Sequence, residues 1–213
     1  MAKEWLYGKT LAQLGGVTAR LGMPRFAGKQ IAAWLYKKGV AEIDSMTDLS
    51  KAARERLSGE YEVGGVSPSA VAESSDGTKK YLFPTLTGDA VESAYIPDGD
   101  RATLCVSSQA GCRMGCAFCM TGRQGLQHNL SAGEILNQRR SIPESERLTN
   151  LVYMGMGEPL DNFDEVLASL EILTAEWGYG WSPSRITVST IGVMPALREF
   201  LDRTKVHLAV SLH

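Results

Sequence analysis

Arg101-Ala-Thr-Leu-Cys105-Val-Ser-Ser-Gln-Ala-Gly-Cys112-Arg-Met-Gly-Cys116-Ala-Phe-Cys119 is the stretch on which the reading of this chain turns. Residues 103–107 have the composition of a buried strand, and residues 108–119 read as a glycine-broken loop holding three cysteines. Downstream, Ser131-Ala-Gly-Glu134 is a capping box that starts a helix of about ten residues. Residues 151–154 read as a second strand, Asn162 can cap a helix over 163–176, residues 185–190 form a third strand, a helix follows Pro195, and 206–212 form a fourth strand. Repeated strand–helix units predict an α/β fold with a parallel sheet, closed or partly closed into a barrel.

Working back from that stretch, the period changes. Residues 71–74, the Asp76-Gly77 turn and residues 79–83 read as a hairpin, because Asp-Gly supplies the positive φ of a tight turn. Residues 90–96 alternate again and end at Pro97. Residues 1–59 read as helices. Leu11, Leu14, Val17, Thr18 and Leu21 keep helical spacing, as do Phe26, Gln30, Ile31, Trp34 and Leu35, with Gly39 as a carboxy-terminal cap. A third helix over 49–57 is expected, with Asp48 capping its first amides. The expected organisation is a helical accessory domain over 1–59, a small antiparallel β segment over 60–100, and an α/β core over 101–213. Four β–α strands are too few to close a barrel, and the core is expected to be incomplete at its carboxy terminus.

With 44% hydrophobic and 22% charged residues, the chain falls outside the disordered and fibrous classes. No apolar run approaches the ~20 residues of a membrane span, and the first residues lack a secretory layout, so a soluble, cytoplasmic protein with no membrane partner is expected. The charge is unevenly placed. Residues 1–59 hold ten Lys/Arg against five Asp/Glu, and residues 60–213 hold twelve against nineteen. A basic head suits a polyanionic partner, and equally a solvated helical surface.

Cys105, Cys112, Cys116 and Cys119 are the four cysteines of the chain. Crowded into one short segment, they suit a soft-metal site in a reducing compartment better than a secreted disulfide framework. Cys112-x3-Cys116-x2-Cys119 offers three thiolates, with Gly111 and Gly115 letting the backbone fold around a bulky core. Three thiolates describe either a zinc site short of a ligand or a four-iron cluster with one iron open to an outside ligand. The loop leaves the carboxyl end of a strand, where barrel active sites are built, and favours the second reading. Phe118 is placed to cover an aromatic ring. Gly155-Met-Gly-Glu158-Pro159, after the second strand, can receive an ammonium group. His128 and His207 read as a loop residue and a packed strand residue.

These residues carry a resemblance. Cys-x3-Cys-x-Phe-Cys is the pattern of the radical S-adenosylmethionine enzymes. The stretches Ala102-Thr-Leu-Cys-Val-Ser-Ser-Gln-Ala-Gly-Cys112, Gly155-Met-Gly-Glu-Pro159, Val188-Ser-Thr190 and Ser211-Leu-His213 resemble the RlmN/Cfr family of RNA adenine methyltransferases. Phe26-x3-Gln30-Ile31-x2-Trp34-Leu35-Tyr36 and residues 44–49 resemble that family's helical accessory domain.

The resemblance implies a [4Fe-4S] cluster on Cys112, Cys116 and Cys119, with S-adenosylmethionine chelating the open iron. It implies that Gly157 and Glu158 bind the methionine end, and that Ser189, Ser211, Leu212 and His213 contact the rest of the cofactor. In such enzymes a carbon radical takes hydrogen from a methylated cysteine near the carboxy terminus, and a second cysteine resolves the protein–RNA bond through a transient disulfide. Cys105 matches the resolving cysteine and Glu92 the general base; the methyl-carrying cysteine is not among the four in this chain. Without it, the chain is expected to lack methyl transfer on its own. The implied substrate is C2 of an adenine in 23S rRNA, with tRNA as a second substrate. Adenine C8, another radical chemistry, or a non-catalytic iron–sulfur or RNA-binding remnant stand as alternatives. The implied partners are RNA, gripped by Arg25, Lys29, Lys37 and Lys38, and an electron donor such as flavodoxin. The protein is expected to be a monomer. Residues 138–150 are shorter than many family members carry there.

Overall fold

The computed structural model describes residues 3–212. It consists of two compact units, Met1–Gly65 with Ala168–Trp181, and Val66–Leu167 with Ser182–His213.

In the first unit, β1 (Glu4–Trp5) is followed by α1 (Leu11–Arg20), α2 (Ala27–Ala32), α3 (Lys51–Glu60) and β2 (Tyr61–Glu62), with β1 and β2 pairing in parallel. A capping box between Thr10 and Gln13 starts α1. Ala33–Lys37 continues α2 as a π turn, and Gly39 leaves it at φ +62°. Leu14, Ile31, Leu35 and Leu57 are fully buried. Tyr36 packs its ring against Tyr7, Trp177 and Tyr179, with centroids 5.6–5.9 Å apart. Two expectations fail here. The cap of α3 is Ser50, whose hydroxyl accepts from the Ala53 amide; it has the extended backbone a cap requires, whereas Asp48 accepts from the Trp34 indole at 2.5 Å. Phe26 precedes α2 and is 63% exposed, outside the apolar stripe its spacing suggested.

The second unit contains β3 (Ala70–Glu73), β4 (Lys79–Pro84), β5 (Ala90–Asp98), β6 (Arg101–Cys105), β7 (Gln109–Gly111), α4 (Met120–Arg123), β8 (Leu126–Asn129), α5 (Ala132–Arg140) and β9 (Asn150–Tyr153). After α6 (Phe163–Thr174) it continues with β10 (Ile186–Thr190), α7 (Ala196–Arg203) and β11 (His207–Val210). Among the described residues, seven strands form one sheet in the order β11-β10-β9-β6-β5-β4-β3. β6, β9, β10 and β11 are mutually parallel, and β5, β4 and β3 extend the sheet antiparallel. The antiparallel strands are therefore continuous with the parallel set, hydrogen-bonded through β5 and β6. The fold is mixed α/β. Leu104, Leu136, Ile186 and Val188 are wholly buried in its core.

The capping box at Ser131 and Glu134 starts α5 as its sequence requires. Residues between α5 and β9 carry the buried Glu144, which accepts from the Tyr81 hydroxyl at 2.7 Å and pairs with Lys79 at 3.0 Å. His128 lies on β8 rather than in a loop, and His207 is exposed on β11, at the end of the sheet order, rather than packed. Among the described residues, no helix is long and apolar enough to cross a membrane.

Candidate active site

The parallel strands bring their carboxyl ends to one edge of the sheet, and the loops leaving that edge build a cavity. The first wall grows from β6. The chain passes into β7, which pairs antiparallel with β8 through an irregularity at Ala110/Gly111. Gly111 has φ +76°, and a Cβ there would lie 1.8 Å from the Gly125 carbonyl. Glycine is required because that carbonyl accepts from the Cys112 amide at 3.1 Å, closing the neck of the cysteine loop. Inside the loop the Cys119 amide donates to the Cys116 carbonyl, and Arg123 to the Ala117 carbonyl. Burial pushes the Cys112 thiol up, a Met114 backbone hydrogen bond opposes this, and Glu158, Cys116 and Cys119 add to the rise.

The second wall is residues 155–158, after β9. A Cβ on Gly155 would fall 2.7 Å from the Ser107 hydroxyl, and one on Gly157, at φ +96°, 2.5 Å from the Gln109 Cβ. The Met156 amide donates to the Ser107 hydroxyl at 2.8 Å, and the Glu158 amide to Gln109 Oε1 at 2.8 Å. The Glu158 side chain is buried. Its Oε1 accepts from the Leu160 amide and the Thr190 hydroxyl, and its Oε2 from the Ile191 amide at 3.1 Å. That carboxylate thereby ties the loop after β9 to the end of β10. At the third wall, the Ser189 and Ser211 hydroxyls are 3.2 Å apart.

The cavity between these walls measures about 320 Å³. Cys112, Cys116, Cys119, Gly157, Glu158, Ser189 and Ser211 all line it, as does Phe118. Cys105, Glu92 and Leu212 are not among its lining residues; Leu212 is 86% exposed, and His213 lies outside the described residues. Cys105 ends β6 half-buried; burial pushes its thiol up, opposed by a Met154 backbone hydrogen bond. Glu92, on β5, pairs with Lys80 at 3.1 Å. Its backbone is held from both sides, the carbonyl by the Ser107 hydroxyl at 2.5 Å and the amide by the Met156 sulfur at 3.4 Å.

All four cysteines are free thiols, so no disulfide is a feature of this structure: the transient one implied by the resemblance would pair Cys105 with a cysteine that is not among these four, and the other three line the cavity. Among the described residues, no three His, Cys, Asp or Glu side chains are gathered as a ready metal site. The donor set nonetheless fits an iron–sulfur cluster. Three soft thiols face one cavity, and Gly115, at φ +65°, has open space beside it. Thr190, Gln109, Asp161 and Arg113 were not singled out from sequence. Each acts through a partner distant in the chain, and no local spacing signals that.

Residues 5–63 match the family described as Ribosomal RNA large subunit methyltransferase N-terminal domain, and residues 106–213 match the Radical SAM superfamily. With half of its length in that second match, the chain belongs to the radical SAM superfamily. It is 59% identical over 211 residues to the probable dual-specificity RNA methyltransferase RlmN of Phocaeicola vulgatus, covering 99% of this chain and 60% of that protein. It is 47% identical over 204 residues to the dual-specificity RNA methyltransferase RlmN of Geotalea uraniireducens, covering 96% and 60%. The crystal structure of a radical SAM methyltransferase from Sphaerobacter thermophilus superimposes with a TM-score of 0.87 at 40% identity, covering 99% of this chain and 64% of that one. The chain thus spans about 60% of the length of these curated relatives.

Proposed function

We propose that the protein carrying this sequence is a radical S-adenosylmethionine RNA methyltransferase that methylates C2 of an adenine in 23S rRNA, with tRNA as a second substrate. The observation that carries the reading is one cavity, at the carboxyl edge of parallel strands, lined by three thiols and by the loop ending in Glu158. Cys112, Cys116 and Cys119 would hold a [4Fe-4S] cluster, with S-adenosylmethionine beside it. Together these supply the one-electron chemistry needed to functionalise an unactivated carbon. The chain's own work is positional. Glu158 would offer its carboxylate to the cofactor's ammonium group, through an Oε2 that accepts from one protein donor, the Ile191 amide, among the described residues. Ser189 and Ser211 offer hydroxyls to the rest of the cofactor, and Phe118 an aromatic face. Leu212 and His213 are assigned there on resemblance. Cys105 serves as the resolving thiol, and Glu92 as the base that receives the adenine proton.

The helical head supplies phosphate contacts. Arg25, Lys29 and Lys37 are exposed, while Lys38 stands 3.3 Å from the centroid of the Trp34 ring, a cation–π contact that fixes its position. The domain limits 1–59, 60–100 and 101–213, a cytoplasmic location, a monomeric state and a flavodoxin-like electron donor belong to the same proposal.

The test is RNA methylation by an anaerobically reconstituted protein of the relatives' length that carries this sequence, read by mass spectrometry of RNA digests. C2-methyladenine in 23S rRNA is the expected product. Methylation at C8, or none with the cluster loaded, overturns the reading. Glu92→Gln should retain the cluster and lose product.

A further inference from the structure

The cysteine loop must be held at a fixed distance from residues 155–158 if three thiols and an ammonium-binding carboxylate are to serve one ligand. Backbone hydrogen bonds close the loop on itself at Cys112 and Gly125, and tie only its root to residues 155–158, where the Ser108 and Gln109 amides donate to the Met156 carbonyl at 2.8 and 3.2 Å. A chain of polar side chains extends that tie into the loop, to Arg113. Arg113, next to Cys112, pairs through Nε with Asp161 Oδ2 at 2.8 Å. The same oxygen accepts from Gln109 Nε2 at 2.7 Å, and Gln109 Nε2 also donates to Asn129 Oδ1 on β8 at 2.8 Å. Gln109 Oε1 accepts the Glu158 amide. The contacts therefore run from the cysteine loop to the backbone of Glu158 without a break.

Burial decides how much this is worth. Gln109 is wholly buried and the Asp161 side chain is 15% exposed, whereas the Arg113 side chain is 57% exposed. An ion pair between two exposed side chains adds little. Here the acid is fixed from beneath by a buried amide, so only the arginine arm loses freedom when the pair forms. Arg113 and Asp161 are themselves absent from the cavity lining, so they act through their neighbours.

We infer that Arg113 and Asp161 are positioning residues that fix the cysteine loop against the Glu158 loop, setting the thiols relative to the group that receives the cofactor's ammonium. The inference rests on the proposed function for its ligand, and on the contacts above for its geometry.

Two readouts test it. In the chain without cluster, hydrogen–deuterium exchange of residues 112–125 should quicken roughly 3- to 10-fold in Arg113→Gln, the loss expected from one charge-assisted hydrogen bond. Exchange in β9 and β10 should stay unchanged. Arg113→Gln leaves the buried Gln109 contacts alone, so it remains informative even if Asp161→Asn folds poorly. Where both fold, the double variant should exchange no faster than either single variant. In the loaded protein, both variants should keep the iron but bind S-adenosylmethionine roughly 3- to 10-fold more weakly, and the cofactor-induced change in the cluster's electron paramagnetic resonance signal should alter. Arg113→Lys should restore part of each effect. Unchanged exchange in Arg113→Gln, additive single variants, or wild-type affinity in both overturns the inference. A wild-type protein that binds no cluster overturns the proposed function instead, and exchange in the cluster-free chain still judges the pair.

Discussion

The two loops that face each other across the cavity are held in opposite ways. Residues 155–158 are fixed by the fold itself, with two glycines against neighbouring backbone and side chains and a buried carboxylate with three protein donors. Residues 112–125 are held at the neck, where Cys112 meets Gly125, and at Arg113, while Phe118 and Met120 are 64% and 67% exposed. One wall needs no ligand to keep its shape. The other contributes donors whose final arrangement the bonds to a ligand would set, as metal binding commonly organises loops of thiolates.

The contrast can be broken most decisively at the thiols. Cys112→Ala, Cys116→Ala or Cys119→Ala should each abolish iron uptake in anaerobic reconstitution, measured as iron per chain, while Cys105→Ala should leave it near ~4 irons. Loss of iron in Cys105→Ala with retention in any of the other three would move the site off the cysteine loop.

Paired glycine substitutions sharpen it further. Gly157→Ala combines a left-handed φ with a Cβ 2.5 Å from Gln109, and should lower unfolding free energy by about 3 kcal/mol or more in denaturant titrations. Gly115→Ala has a similar φ with open space around it, and should lose only about 1–2 kcal/mol. Equal losses would mean that the two walls are equally packed.

Thr190→Val tests the tie between β9 and β10. It leaves the Glu158 carboxylate without its 2.5 Å hydroxyl donor and should destabilise by about 1–3 kcal/mol. Thr190→Ser should recover most of that. A neutral Thr190→Val would show that Glu158 does not depend on this contact.

The smallest effect lies outside both loops, at Glu144. Burial alone would raise its pKa, but hydrogen bonds from Tyr81 and Lys79 overcome that and hold it below the usual carboxylate value of 4.5. Its contribution is therefore fully present above the ordinary carboxylate range and is lost as pH falls through the lowered value. Melting temperature plotted against pH between about 3 and 6 should flatten in Glu144→Gln. An unchanged profile would remove Glu144 from the acid response.

Much of this architecture was legible in the residues. The capping box at Ser131, the turn at Gly77 and the period change after residue 100 are local signals, and local backbone chemistry answers them directly. Asp48 and Ser50 are two capping-type residues within three positions, and only backbone conformation distinguishes the cap, Ser50, from its neighbour. The strands β1 and β2 have two residues each, too few for any period to show. The β7–β8 ribbon has no local signal either, since its pairing spans the whole cysteine loop.

By itself, the sequence placed three cysteines at short spacing and a glycine-bounded carboxylate, because these are properties of neighbouring residues. Tertiary structure decided what those groups lean on. Glu158 is tied to Thr190, Gln109 to Asp161, and Arg113 to that same acid, each across a separation that no sequence period encodes. It also decided that Glu92 and Cys105 stand outside the cavity lining, since a residue's side of a wall depends on the register of β5 against β6 and the exit of each loop, and those are set by packing of the whole sheet.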